Sequence, residues 1–366
     1  MKTVDSVLSN KNNFDTLRLL AAVGVVLSHA YPATQGSNKN EFLHVLSGGQ
    51  ATLGELCVAV FFIISGFLIT QSFSRSKSLV EYLVNRILRI FPALLVITFL
   101  TCLVLGPLVT TRASSDYWFK WHTIRYMGNA LIYPTAQKLP GVFETSIYPY
   151  VTNASIWTLS YEFTCYLCVA AIGLMIRKSW FLATMMGTIA AATVFYTYIS
   201  PPIFVKFSAY FFAGAIAYAG RKMVVLDLKV FIISILALCI FIFLHQGLIV
   251  AICIFGTYAT IYLAYAHYLP AHKIMRHGDF SYGIYLYAWP VQQLLVPIAQ
   301  TPFLNFLFSL PLIILLSVCS WKLVEKPALS RKQTVANFIN SKIGGIRKSL
   351  VPIPIAPANS SAHKGR

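Results

Sequence analysis

Five side chains have the type and placement to do chemistry in an otherwise apolar chain: Arg18, His29, Arg86, Arg89 and Glu162. Arg18 and His29 bracket ten residues, nearly all small or apolar. Eleven steps along an α-helix turn by about 1100°, about 20° past three full turns, so the two share nearly one face, roughly 16 Å apart along the axis. In a bilayer this puts Arg18 at a headgroup surface and His29 about halfway down. An ionisable group at that depth is costly and points to function. A cation at the mouth and a proton-exchanging imidazole inside suit a large anionic substrate whose reacting end is buried. The plainer alternative is a His29 that hydrogen-bonds a neighbouring helix and an Arg18 that snorkels as an anchor.

Glu162 lies in Trp157-Thr158-Leu159-Ser160-Tyr161-Glu162, inside an apolar run of a chain with only 11 acidic residues. A carboxylate there can orient or charge-pair a histidine on another helix, or simply hold a Tyr, Ser or Arg in place. Arg86 and Arg89 stand three apart and share a face. With Arg18 they make a candidate cluster for phosphates or carboxylates; alone they read as anchoring at the membrane edge. Ser65-Gly66 reads as a close helix contact, with Ser65 a nucleophile only if a base such as His29 lies beside it. The remaining histidines fall mostly in loops or at helix ends, with His267, His272 and His277 a loose group, and no metal site is expected. Cys165-x-x-Cys168 has no second pair and lies in an apolar run, so it reads as two small buried hydrophobes. No phosphate-binding glycine loop, Gly-x-Ser-x-Gly or dinucleotide fingerprint is present.

The elements that must position these groups are membrane helices. The 366 residues are 57% hydrophobic and 11% charged, against about 25% charged in soluble domains. Ten apolar runs suit spans: 17–33, 57–73, 90–109, 154–176, 180–199, 203–220, 229–245, 247–266, 280–300 and 303–322. The expected fold is all-α and polytopic, with about ten transmembrane helices. Residues 1–16 form a cytoplasmic N-terminal segment, 17–328 the membrane domain, and 329–366 a basic, disordered cytoplasmic tail. No cleavable signal, fused soluble catalytic domain or internal repeat is discernible. The net charge of +18 reflects membrane topology and not nucleic acid. With the N-terminus inside, 23 of the 29 Lys and Arg fall on the cytoplasmic side, as the positive-inside bias requires of a membrane protein with both termini inside. The outer loop at 110–153 is rich in Tyr, Trp and Pro; its aromatics suit an interfacial belt or a stacking surface for sugars.

Six stretches, in order, resemble the acyltransferase 3 family, integral membrane O-acyltransferases of bacterial surface glycans. They are Arg18 with His29, Phe61-Phe62-x-x-Ser65-Gly66-Phe67-Leu68-Ile69, Arg86-x-x-Arg89-Ile90-x-Pro92, Trp157-x-Leu159-x-x-Glu162, Tyr282-Gly283-Ile284-Tyr285-Leu286 and Glu325-Lys326-Pro327. The resemblance implies an acyl-CoA donor, most commonly acetyl-CoA, on the cytoplasmic side. It also implies a glycan or glycolipid acceptor and a central His29. Arg18, Arg86 and Arg89 take the places of the family's basic residues, and Glu162 that of its Trp-Ser-Leu-x-x-Glu carboxylate, with Thr158 where Ser is usual. Two positions depart: Ala59 stands where an acid often precedes the Phe-Phe pair, and Ala288 where the ninth span often has His.

Together these readings give a donor whose phosphates lie on Arg18, Arg86 and Arg89. His29 is then the general base or transient acyl carrier, and Glu162 sets its tautomer or stabilises the imidazolium. The competing reading is a proton-coupled transporter or flippase with His29 and Glu162 as a relay. The acceptor sugar, the acyl length and the oligomeric state stay open.

Overall fold

A computed structural model describes residues 2–8, 12–132, 136–175, 203–266 and 278–343. Within them the chain is built of helices, and its strands are a two-residue antiparallel pairing of Lys2–Thr3 with Val225–Leu226. The principal helices are α1 (Phe14–Gln35), α2 (Leu53–Arg75), α3 (Leu79–Leu100), α4 (Trp157–Met175), α5 (Ile203–Ala219), α6 (Leu228–Phe243), α7 (Leu248–Tyr265), α8 (Ser281–Leu295), α9 (Pro302–Ser320) and α10 (Lys332–Ile343). Six described helical stretches are long and apolar enough to cross a membrane: α1, α2, α3 with its extension to Val109, α4, α7, and α9 with its extension through α10. α5 and α6 are shorter apolar helices. The fold is therefore all-α and polytopic. Nine of the ten expected spans overlap α1–α9, and the one expected at 180–199 lies outside the described residues, as do His267, His272 and His277.

Local chemistry explains the starts. Thr52 and Glu55 close a capping box at the head of α2, which satisfies orphan N–H groups reciprocally. Ser78 accepts from the Glu81 N–H at the head of α3, and α1 ends on Gly36 in the left-handed conformation. Pro290 and Pro311 lie inside α8 and α9, a placement that membrane helices tolerate when neighbours re-satisfy the freed groups.

The helices gather around α2, against which α1, α4 and α5 pack. The α2–α5 contact is backbone on backbone. A Cβ at Gly66 would strike the Phe211 carbonyl, and one at Gly214 the Ile63 carbonyl. Small residues permit such approach where lipid provides no hydrophobic drive between helices. On the other flank α8 lies between α1 and α9. Gln292 donates to the Val26 carbonyl (2.7 Å) and Asn305 to the Gln292 carbonyl (3.1 Å).

The 110–153 segment folds over one end of this bundle. Trp289 donates to Val151 O (2.8 Å), Gln293 to Tyr148 O (2.9 Å) and Asn153 to Leu286 O (3.0 Å). Within it, the Gly141 N–H and the Arg112 guanidinium hold the Glu144 carboxyl below its usual range.

The expectation of a disordered tail from residue 329 is corrected for residues up to 343. Here α10 packs against α3. Its Val335, Ala336, Ile339 and Asn340 face inward, the one-sided spacing of an amphipathic helix. Its average polarity hides that stripe from a composition argument.

Candidate functional site: two cavities stacked along four helices

α1, α2, α4 and α8 each run past two cavities in turn. The first, about 400 Å³, is lined by Arg18 of α1, Ser65 of α2, Arg86 and Arg89 of α3, Glu162 of α4 and Tyr282 of α8. Lys332, at the start of α10, joins them. The second, about 250 Å³, is lined by His29 of α1, Glu55 of α2, Trp157 of α4 and Trp289 of α8. Tyr282, Tyr285 and Trp289 stand at helical spacing on one face of α8, and they step from the first cavity to the second. Three residues, Val58, Thr158 and Tyr285, line both.

The first cavity sits at the basic end of the bundle, where four polar groups interlock. Arg89 Nη2 donates to Asp279 Oδ2 in a very short contact. Arg18 Nη1 lies 3.9 Å from the same oxygen, and Arg89 Nη1 lies 3.8 Å from Glu325 Oε2. Glu325 is 1% exposed and also accepts from Ser320 Oγ (3.1 Å). Burial alone would raise the Asp279 carboxyl. Arg89, Arg18 and the two Ser281 hydrogen bonds outweigh it and hold the group below its usual value. Arg86 is placed differently: its Nε is buried with no hydrogen-bond partner among the described residues. A buried donor left unmade is costly, so Arg86 is poised for an acceptor that the described side chains do not supply.

The sequence-predicted groups are thus divided. Arg18, Arg86, Arg89 and Glu162 share one cavity, and His29 lies in the other. The expected pairing of Glu162 with His29 is not observed. Glu162 Oε1 accepts from Ser65 Oγ and from Tyr166 Oη, each at 2.6 Å. Ser65 is accordingly a partner of Glu162, not of His29. His29 meets the Trp289 ring edge-on at 5.3 Å between centroids, and its Nδ1 is buried with no hydrogen-bond partner among the described residues. Beside it are polar Ser28, Asn38 and Gln137 and aromatic Tyr148 and Trp157. Glu55, in the same cavity, pairs with Lys206 at 3.3 Å.

Sequence reasoning missed Asp279, the electrostatic part of Glu325, and Lys332. The scarcity of acids was the available signal: with 11 in 366 residues, an acid at the end of an apolar run needs a cationic partner. No group of three or more His, Cys, Asp or Glu among the described residues is arranged to hold a metal ion.

Residues 11–322 match the family described as an acyltransferase domain, Acyl_transf_3. A protein named O-acetyl transferase from Shigella phage Sf6 is 29% identical over 345 residues, covering 88% of this chain and 98% of the relative. Nodulation protein 10 of Rhizobium leguminosarum bv. viciae is 29% identical over 367 residues, covering 89% and 95%. No solved structure matches the chain. The family match spans α1 through α9 and most of the lining of both cavities, so the chain belongs to the acyltransferase 3 family and is a membrane-embedded acyltransferase.

Proposed function

We propose that the protein is an O-acetyltransferase that moves an acyl group from acyl-CoA to a hydroxyl of a surface or exported glycan. The observation that carries this reading is the meeting of the two cavities at Val58, Thr158 and Tyr285. A basic compartment and a histidine compartment share one wall. Arg18, Arg86, Arg89 and Lys332 hold the donor's phosphates, with the Arg86 Nε, unpartnered among the described residues, as the unspent donor. The acyl end reaches toward His29. The His29 imidazole takes the proton of the acceptor hydroxyl as its oxygen attacks the thioester carbonyl. The carbon–sulfur bond breaks, and the proton passes to the departing thiolate. A transient acyl-imidazole on His29 is the stepwise version of the same exchange. Glu162 fixes Ser65 and Tyr166 in the donor cavity wall.

The acceptor belongs in the His29 cavity. Its Tyr148, Trp157 and Trp289 rings beside Asn38, Gln137 and Glu55 combine apolar faces with a few directional polar groups, as small-ligand sites do. The relative named O-acetyl transferase favours acetyl as the group moved. Placement in a bacterial inner membrane with the donor cavity cytoplasmic rests on the charge count. It also rests on the side shared by Arg18, Arg89, Lys332 and the Asp5–Arg221 pair (2.8 Å). The transporter reading needs a relay between His29 and Glu162. Glu162 is instead engaged by Ser65 and Tyr166 in the donor cavity.

His29→Ala should cut transfer by about 10²–10⁴, the usual worth of general-base help, with the protein still inserted and monodisperse. Mass spectrometry of surface glycans from cells carrying each form reads it. Parental acetylation by the variant would end the proposal.

A further inference from the structure

The shared wall between the cavities is closed. Val58, Thr158 and Tyr285 line both cavities, yet they are only 8%, 4% and 8% exposed. They come from three different helices, α2, α4 and α8. The Thr158 hydroxyl donates to the Ser155 carbonyl (3.2 Å), which can only accept. Its single proton is thereby used, so the contact between Thr158 Oγ1 and Tyr285 Oη (2.5 Å) is one in which tyrosine donates. Thr158 is tied to the backbone just before its own helix, and Tyr285 is tied to Thr158. Val58 and Thr158 are β-branched and stiff at χ1. Of the three, Tyr285 is the side chain free to swing, by releasing one hydrogen bond.

We propose that Val58, Thr158 and Tyr285 form a gate between the donor and acceptor cavities whose aperture selects the length of acyl group that reaches His29. The proposal rests on the acyl-CoA reading above and deepens it. Phosphate anchoring lies at the basic end, among Arg18, Arg86, Arg89 and Lys332, whereas the gate meets the acyl end of the donor. Changes at the gate therefore act on acyl preference and rate, not on the grip on CoA. Tyr285 also contacts the Phe61 ring, with 6.1 Å between centroids, so a swung ring has an apolar neighbour to meet while the passage is open.

The test uses the full-length protein in nanodiscs. Affinity for free CoA is measured by calorimetry. Thiol release is followed from acetyl-, propionyl- and butyryl-CoA with water as the probe acceptor: the carbon–sulfur bond breaks, a carbon–oxygen bond forms, and a carboxylate and a thiol result. Thr158→Ala, which removes the hydroxyl and methyl from the wall, should raise the butyryl-to-acetyl rate ratio by about tenfold, the lower end of what one methylene is worth in a pocket. Tyr285→Phe, which frees the ring, should raise the same ratio. Val58→Phe, which fills the passage, should suppress thiol release from all three donors while CoA affinity stays within about twofold of the parent, a shift small beside that tenfold selection. Retained CoA affinity certifies that each variant is folded. Parental chain-length ratios in both Thr158→Ala and Tyr285→Phe, with CoA still bound, would overturn the gate. A parental protein that neither binds CoA nor releases thiol would instead overturn the donor reading, and the gate with it.

Discussion

On the proposed reading, Asp279 occupies, in electrostatic terms, the place of a donor phosphate. Its carboxylate bonds Arg89 and lies 3.9 Å from Arg18, two of the cations assigned to the donor. Removing one member of a partly buried ion pair leaves the other charge poorly compensated, at a cost of about 3 kcal/mol. Asp279→Asn should therefore lower the melting temperature of the free protein. Added CoA should raise it more in the variant than in the parent, because phosphate oxygens replace the missing carboxylate. Equal CoA shifts in the two proteins would show that Arg18 and Arg89 do not meet the phosphates. The pH dependence has a definite sign. The Asp279 carboxyl is held below its ordinary value, so its stabilisation is present above the ordinary carboxylate range, near pH 4, and is lost as pH falls through the depressed value. The gap in stability between parent and variant should accordingly persist at neutral pH and close on acidification.

At the scale of elements, the α2–α5 contact sets where Ser65 can stand relative to the rest of the wall. Gly66 follows Ser65, and a Cβ there meets the Phe211 carbonyl rather than a side chain that can turn away. Gly66→Ala should push α5 from α2 and cost about 3 kcal/mol, the upper end of ordinary overpacking. A thermal melt in detergent reads it, and an unchanged midpoint would mean the helices separate freely. The same contact shows what a single sequence discloses. Ser65-Gly66 reads as a place of close approach because small residues serve that purpose in membranes, but nothing in it names α5 as the neighbour. Arg18 and His29 were legible because both lie on one helix, and a period of 3.6 fixes their relation. Glu162 was legible as a costly carboxylate and illegible in its partners, because Ser65 is 97 residues away and cross-helix register leaves no local mark. Asp279 and the ion pair of Glu325 were overlooked for a related reason: each gains meaning only when Arg89, midway along α3, comes between them. α10 was misjudged because its few apolar residues form a stripe without raising the average.

At the scale of the whole molecule, the sequence supplied the class of protein and the side on which its cations gather. The stacking of two cavities is tertiary. It arises because α1, α2, α4 and α8 each present one kind of side chain at the basic end and another at the end covered by residues 110–153. A wall shared by both cavities and held by the Thr158–Tyr285 hydrogen bond has an electrical consequence. With solvent admitted to a recess on each side, the transmembrane voltage drops mainly across that wall rather than across the full bilayer. Any charge carried through it would meet or gain about 2.3 kcal/mol per 100 mV. On the proposed reading the nucleotide stays behind with its phosphates, and the passing acyl group is neutral. Turnover in proteoliposomes should then be the same with and without an imposed potential. A rate that follows the voltage would reveal a charged traveller. On that reading, an uncharged cargo would let an energised membrane deliver acetyl groups outward without spending its proton or ion gradients.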